Sequence, residues 1–570
     1  MPDVLLCIPP DYGHNYPPLA TPALCAFLKR GGIDVSQVDL NLRYRDFLCS
    51  RISAHGLNEA EKKLLLNQVL GRFFHGYPGG KYYSFLLPES GRHPPAGLPY
   101  GNNSNSSFYF TERILNSRAL FRYLRDAQEN TFLQFFIECG IIGELAAGKT
   151  KVLGISIISP SQAIAAFTLG FLVKRSLPEI HVTIGGQWPT LFRRQIKRRK
   201  DLFACFDSVI LFEGETPLLR LVRSLSAGKP AVLPNVMLSG GRMGPEVNAR
   251  PEDMNGIPCP DFSGLPLREY DGSDQGHISL TYETSRGCYW SKCAYCVDLP
   301  LPKPLYRSKD PRLVLQDIRE LKEKYNASNL LLGDPGLSPR QMLGIAGRIN
   351  RSGIKIDWWT MARLDPGFNP RIFRQARKAG LWKINFGFES ACDRVCALVD
   401  KGNTRDCSER VIRDCHDAGI MVDLQTMIGL PGETLEDGLE TVDFLIRNRR
   451  YITNVTFNSY YLTPGNYVYL RPGRYGISYL RPEKLPFRFF VPFRNLKGMS
   501  EGQVRAVIDA YYTLLDRNEK PPGEKKTEYR GKAGIPHTGG NSGTLAFSLC
   551  GRKVRLRYRR SISDGQITVE

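Results

Sequence analysis

The densest chemistry lies in the stretch Thr284-Ser285-Arg286-Gly287-Cys288-Tyr289-Trp290-Ser291-Lys292-Cys293-Ala294-Tyr295-Cys296, where Cys288, Cys293 and Cys296 fall within nine positions. Thiolates are soft ligands, and three of them in one tight loop can face a zinc ion or an iron–sulfur cube. A structural zinc site takes four closed ligands. Zinc would therefore need a donor from elsewhere, with Cys259 and His277 the candidates. Otherwise the three thiols hold three corners of a four-iron cluster and leave one iron open to a substrate or cofactor.

A loop of this kind needs rigid elements to hold it. It follows a stretch at 280–283 that reads as a strand, and further strand-like runs occur at 330–332, 356–361, 383–388, 421–428 and 454–460. Helix-like spacing lies between them, for example at 311–324 and 405–418. Six strands suffice for an open (β/α)6 barrel with its site at the strand C-terminal ends.

The first half repeats the alternation. A strand at 4–8 is closed by Pro9-Pro10, a helix at 19–30 ends at Gly31-Gly32, and an extended piece spans 33–40. Strands resume at 152–157, 181–184 and 208–212, with a helix at 161–175. This predicts a parallel sheet with flanking helices. Ser156, Ser159, Gly185, Gly186, Gln187, Glu213 and Gly214 fall in or just past its strands. In such a sheet flat or phosphorylated ligands bind at that edge, where small residues let a cofactor approach the backbone.

A chain of 570 residues predicts three or four domains. The boundaries read as 1–235 with an insertion at about 50–145 over one end of the sheet, a Pro/Gly-rich linker at 236–279, the barrel at 280–465, and an extension at 466–570. The extension predicts a helix at 501–517, a linker at 520–543 and a terminal β-hairpin at 545–569 around Gly565.

Hydrophobic residues make up 42% and charged residues 23%, which excludes a disordered or fibrous chain. No apolar run reaches the roughly 20 residues of a membrane span; the best, 155–173, is broken by Ser159, Pro160, Ser161 and Gln162. The N-terminus lacks the basic start of a signal peptide. Cysteines such as Cys7, Cys25 and Cys205 sit in apolar patterns, as buried thiols in a reducing, cytoplasmic compartment would. Lys and Arg number 77 against 56 Asp and Glu, a net +21 that favours anionic partners. Basic and aromatic residues interleave at 471–494, which supports an alternative reading as a nucleic-acid-binding protein with a structural metal loop.

The cysteine stretch resembles the loop of the radical S-adenosylmethionine (SAM) superfamily, whose usual pattern is C-x3-C-x2-C with an aromatic before the last cysteine. Tyr295 occupies the aromatic position, while the first gap is four residues, so the loop must bulge by one. Further landmarks are Gly333-Asp334-Pro335-Gly336, Ala362-Arg363-Leu364-Asp365, Gly387-Phe388-Glu389-Ser390, Lys401-Gly402-Asn403-Thr404 and Gly429-Leu430-Pro431-Gly432-Glu433-Thr434. The resemblance covers about 280–465. It implies a 4Fe-4S cluster on Cys288, Cys293 and Cys296, with S-adenosyl-L-methionine on the open iron, cleaved by one electron to a 5′-deoxyadenosyl radical. Asp334, Arg363, Glu389 and Ser390, with Tyr295, are the expected cofactor-holding groups. An electron donor such as flavodoxin or ferredoxin is the implied partner.

The ordered strand ends of the first half, with Pro9-Pro10 and Pro17-Pro18-Leu19-Ala20, resemble the cobalamin-binding domain that precedes the barrel in one large class of these enzymes. The Asp-x-His-x-x-Gly motif is absent, so a bound cobalamin would meet another group, or none, on its lower face. The implied architecture is a Rossmann-like cobalamin-binding domain, a partial (β/α)6 radical SAM barrel and a small C-terminal α+β extension. The implied activity is C-methylation of a natural-product or peptide substrate, acidic or carrier-bound, with cyclisation or rearrangement without methyl transfer as the alternative.

Overall fold

The computed structural model describes residues 3–10, 12–53, 117–228, 232–246, 251–273, 276–296, 306–479, 487–519, 543–549, 552–558 and 568–569. Two six-stranded sheets dominate it. The first contains β1 (Val4–Ile8), β2 (Val35–Asp39), β3 (Val152–Ser156), β4 (His181–Gly185), β5 (Ser208–Ile210) and β6 (Val236–Leu238) in the order β2-β1-β3-β4-β5-β6. All its pairs are parallel except β5 with β6. Its strands are mostly buried because helices cover both faces, with Val4, Leu6, Val152, Leu153, Val182 and Val209 inward.

These helices are α1 (Ala20–Arg30), α2 (Leu40–Ser53), α3 (Ser117–Tyr123), α4 (Thr131–Glu138), α5 (Ile141–Ala147), α6 (Pro160–Ser176), α7 (Gln187–Leu191), α8 (Arg193–Arg198) and α9 (Glu215–Ser226). The insertion expected over one end of the sheet is corrected for its described part. Helices α3 to α5 bury Leu120, Phe132, Phe135, Phe136 and Leu145 in the same core as Ile155 and Phe167, so 117–147 packs on the sheet and leads into β3. Residues 54–116 lie outside the described residues.

The segment 236–279 differs from a plain linker. It opens with β6 and buries Met254, Phe262, Leu265 and Tyr270. Asp261 accepts from Lys29 of α1 at 2.7 Å and from Lys324 and Tyr325 at 3.0 and 2.6 Å, so the segment joins the two halves through charge. A three-residue antiparallel strand gives too short a pattern to be read from sequence.

The second sheet contains β7 (Ile278–Tyr282), β10 (Ala327–Leu332), β11 (Asp357–Arg363), β12 (Leu381–Glu389), β13 (Met421–Ile428) and β14 (Asn454–Ser459), parallel throughout and ordered β14-β13-β12-β11-β10-β7. A short ladder joins β8 (Ser285–Arg286) to β9 (Arg307–Ser308). Burial alternates along β13, with Val422, Leu424, Thr426 and Ile428 buried and the residues between them half-open, so one face packs on helices and the concave face does not. The helices are α10 (Pro311–Tyr325), α11 (Pro339–Ser352), α12 (Pro370–Lys378), α13 (Asp393–Leu398), α14 (Arg405–Asp417) and α15 (Leu435–Arg447). Asp310, Ser338, Asn369, Thr404 and Thr434 cap α10, α11, α12, α14 and α15 with their side chains, which fixes the loops leaving the strand ends.

The C-terminal part adds α16 (Tyr467–Leu470), the pair β15 (Ile477–Tyr479) and β16 (Phe493–Asn495), and α17 (Glu501–Glu519). Helix α17 brings Val507 against Gly438 of α15. Phe487 stacks on Trp188 at 5.8 Å and so enters the core of the first sheet. The expected terminal hairpin is instead three-stranded: β17 (Gly543–Leu549) pairs with β18 (Arg552–Tyr558), and β18 with β19 (Thr568–Val569). The residues between β17 and β18, and Gly565, lie outside the described residues. No helix among the described residues is long and apolar enough to cross a membrane.

Candidate functional site

The cysteine loop leaves the C-terminal end of β7 and is held on every side by backbone. Gly287 turns with φ 77 and Ser291 with φ 52, so the residue that makes the first gap four long lies beside a left-handed turn. The ladder of β8 with β9 anchors the residues before Cys288. On the far side Ala294 N donates to Val399 O at 2.8 Å, Val468 N to Ala294 O at 3.2 Å, and Asn466 Nδ2 to Tyr295 O at 3.0 Å. Trp290 Nε1 donates to Asp400 O at 2.6 Å. Gly402, at φ 74, lies so close beneath that ring that a Cβ would come within 2.0 Å of it.

All three loop sulfurs belong to half-buried residues. Of the other described cysteines, Cys139 and Cys407 are half-buried as well and the rest are buried. Burial pushes the Cys25 and Cys396 thiols up to about 12 and Cys392 to about 11, and raises Cys7, Cys205, Cys259 and Cys415 further. Those thiols are inert at neutral pH.

Cationic groups stand against the loop. Arg363, at the end of β11, places Nη1 3.8 Å from Cys293 Sγ, donates from Nη2 to Lys401 O at 2.6 Å, and lies 4.4 Å from the Trp290 ring centroid. Lys401 is buried and places Nζ 2.8 Å from Glu389 Oε1 and 3.2 Å from Tyr295 OH. Tyr295, Arg363 and Glu389 therefore meet through Lys401, beside Cys293. Lys401 is balanced by Glu389, so Arg363 is the cation that faces Cys293 directly.

Asp334 lies on the other side, wholly buried, where its Oδ1 accepts from Thr284 N and Oγ1 at 3.1 and 3.0 Å and from Ser285 Oγ; its Oδ2 has no partner. Burial pushes this carboxyl up to about 7. The neighbouring Gly336 leaves room beside Cys288, whose sulfur would lie 3.8 Å from a Cβ there. Ser390 is engaged locally: its Oγ is 3.1 Å from Thr441 Oγ1 and accepts from Cys392 N at 3.2 Å. Glu433, fully buried, accepts from Gly429 N and Leu430 N at 2.6 and 3.0 Å; burial raises its carboxyl to about 8.

At the edge of the first sheet, Ser156 of β3 and Gly185 of β4 are register partners, and Gln187 is exposed just beyond. Gly186 has φ 107 and a Cβ there would meet Ile157 O at 2.4 Å, so only glycine closes the two strand ends together. Ser159 caps α6, and Gln162 donates to Pro9 O at 3.0 Å. Glu213 and Gly214 have structural occupations. Glu213 pairs with Arg307, lies 3.5 Å from Arg286 Nη1 and accepts from Glu252 N at 2.8 Å, while Gly214 begins α9. Arg286 also meets Glu215 and Glu283, each at 2.6 Å. An ion-pair network thus ties the end of β5 to the residues just before Cys288. Sequence reasoning missed Arg286, Arg307, Glu215 and Lys401 as site-building residues. Only Lys401 carried a local signal, its place in the turn after the fourth barrel strand.

Neither proposed fourth zinc ligand reaches the loop. Cys259 donates to Asp317 O at 3.7 Å in the barrel's outer core, and His277 stands at the start of β7, the opposite end from the cysteines, 3.2 Å from Ser328 Oγ. Among the described residues, three ligand atoms lie within 4.8 Å of one another at Cys392, Asp437 and Glu440, not at the three loop cysteines. That trio is engaged by Arg394 and Arg405.

Residues 282–445 match the radical SAM superfamily. The chain is 27% identical over 288 residues to an uncharacterised methyltransferase of Pyrococcus horikoshii, covering 49% of this chain and 60% of that protein. It is 25% identical over 303 residues to an anaerobic magnesium-protoporphyrin IX monomethyl ester cyclase of Rubrivivax gelatinosus, covering 51% of this chain and 53% of the relative. It therefore spans little more than half the length of these relatives. Among solved structures, the methyltransferase TsrM of Kitasatospora setae superposes with TM-score 0.60 at 15% identity, covering 91% of this chain and 90% of that one. The cobalamin-dependent radical enzyme OxsB superposes with TM-score 0.58 at 15% identity, covering 91% and 67%. Residues 282–445 thus resemble a radical SAM domain, and the whole has a fold like those of OxsB and TsrM.

Proposed function

We propose that the protein is a cobalamin-dependent radical SAM enzyme that methylates a carbon atom of a natural-product or peptide substrate. The observation that carries the reading is the meeting of three half-buried thiols with Arg363 and Lys401 at the strand ends of an open parallel barrel. The donor set fits a four-iron cluster better than zinc. Zn–S bonds of about 2.3 Å draw sulfurs together within roughly 4.6 Å, whereas among the described residues the loop sulfurs do not all gather within 4.8 Å, and Cys259 and His277 both stand away from them.

In this reading Cys288, Cys293 and Cys296 hold the cluster, with S-adenosyl-L-methionine at its open iron and cobalamin against Ser156, Gly185 and Gln187 of the first sheet. Bound, these groups supply one-electron cleavage of the sulfonium and a transferable methyl group. The protein's own residues orient and exclude. Arg363 offsets negative charge at the loop. Asp334, with one oxygen unpartnered and a carboxyl near neutrality, is able to receive a cationic amine. The loop's backbone hydrogen bonds leave little freedom for the thiols to pair with each other. A soluble one-electron carrier such as flavodoxin or ferredoxin would reduce the cluster. Free thiols at every described cysteine accord with a reducing cytoplasm.

A second reading, ring closure without methyl transfer, is favoured by the similarity to the cyclase. The test is anaerobic reconstitution with iron, sulfide and cobalamin, then turnover with candidate substrates. A four-iron absorption band, bound cobalamin and product heavier by one methyl group are expected. Product lacking that mass selects ring closure, and material without a cluster overturns both. The nucleic-acid alternative has less support: Tyr475 and Phe487 are buried and Phe493 packs edge-on against Tyr460, while Tyr479, Phe489 and Phe490 are half-buried.

A further inference from the structure

The outer side of the cysteine loop carries a surface that the reaction itself does not use. Helix α16 and the turn after it, Pro472–Tyr475, cover that side. They are fastened to it by Val468 N on Ala294 O and Asn466 Nδ2 on Tyr295 O. The face turned outward is basic with an apolar centre. Leu470 is 52% exposed, Arg471 and Arg474 are exposed, and Lys292 projects from the loop with Nζ 4.7 Å from the Trp290 ring centroid. Among the described residues no carboxylate lies within ion-pair distance of Arg471, Arg474 or Lys292, although exposed Asp400 is also near. Tyr475, buried beneath Arg474 at 5.6 Å, holds the turn in place.

We propose that this surface docks an acidic one-electron carrier protein that reduces the cluster; the inference rests on the cluster assignment above. One electron leaves the carrier, which is oxidised by one equivalent, and enters the cluster, which is reduced by one, and no bond forms or breaks. The surface has the composition such a transfer needs: positive charge to steer an acidic partner, an exposed aliphatic contact, and direct backbone links to the segment bearing Cys293 and Cys296. Another dense run of positive charge, Arg194, Lys197, Arg198 and Lys200 on and after α8, lies in the first half.

The experiment uses the full reconstituted chain. Bleaching of the cluster absorbance is followed by stopped flow with flavodoxin hydroquinone, and separately with reduced methyl viologen, a small cation. Arg471→Glu/Arg474→Glu is expected to slow reduction by flavodoxin about tenfold or more at low salt. Viologen reduction and iron content should stay unchanged. Arg471→Gln/Arg474→Gln should slow it less, and Arg194→Glu/Lys197→Glu not at all. An unchanged flavodoxin rate on an intact cluster overturns the docking surface alone. Equal slowing with viologen, or equal slowing in the α8 variant, overturns it too. Failure of any four-iron cluster to form removes the functional reading and this inference together.

Discussion

The two sheets end differently. At the C-terminal edge of the barrel the strands deliver charge to one place: Arg363 from β11, Glu389 from β12 and the turn carrying Lys401 all meet beside Cys293. At the matching edge of the first sheet the strand ends close on one another through backbone. Gly186 fits against Ile157 O, Gln162 reaches Pro9 O, and Thr190 Oγ1 accepts from Phe212 N at 2.9 Å while donating to Gly186 O at 2.9 Å. One edge is suited to binding small charged groups. The other edge is closed by backbone and small side chains, and its charges, at the end of β5, are engaged in the Glu213–Arg307 ion pair. The two edges are therefore distinguished by what the strand ends carry.

The sharpest way to break this contrast is to remove sulfur. Cys288→Ala, Cys293→Ala or Cys296→Ala is expected to abolish the four-iron absorption and SAM cleavage, while Cys7→Ala or Cys205→Ala, which are buried thiols, leaves both. Iron content and 5′-deoxyadenosine formation report the outcome. Next in size is the buried pair at the charged edge. Lys401→Met leaves Glu389 without its cation where both side chains are about nine-tenths buried, and should lower unfolding stability by roughly 3–5 kcal/mol. The double variant Lys401→Met/Glu389→Leu should recover most of that loss in denaturant melts.

At the junction of the two sheets, Glu213→Gln weakens the bond to Arg307 and the nearby charge of Arg286, in a pair that is partly solvated. A smaller loss, roughly 1–3 kcal/mol, is expected there. A loss as large as that of Lys401→Met would show that the junction, not the charged edge, dominates the electrostatics.

The smallest effects separate the halves by pH. Burial lowers His14, in the loop after β1, from 6.5 to about 4. The unfolded chain then binds more protons between those values, so this residue's share of stability is lost as pH falls from about 6.5 towards 4. Asp334 and Glu433 run the other way. Burial raises them from 3.8 to about 7 and from 4.5 to about 8, the folded chain holds the extra proton, and stability falls as pH rises through that window. Asp334→Asn and Glu433→Gln should lessen the fall of stability as pH rises from about 4 to 8, and His14→Phe the fall as pH drops from about 6.5 to 4. If each lessened the opposite fall, the assignment of burial as the dominant cause would fail.

How far the sequence could be read follows the range of the interactions. Strands such as β1 and β13 announce themselves as short apolar runs, and the cysteine loop is legible because its ligands are adjacent in the chain. Glu213 was read as a ligand-binding residue because it stands at a strand end. Its actual partner, Arg307, lies 94 positions away and no local pattern could pair them. Lys401 was visible only as part of a turn, since its buried contact with Glu389 depends on the curl of the sheet. The aromatic residues near 471–494 looked like an exposed platform because interleaving of basic and aromatic residues does not report which rings face inward.

Arg286 precedes the first cysteine of the loop by two positions and clasps Glu215 across the junction at 2.6 Å. The junction between the halves is therefore tied to the loop that carries the three sulfurs. Any displacement of one half against the other must either drag Cys288 with it or snap that clasp, which makes the junction a mechanical handle on the loop.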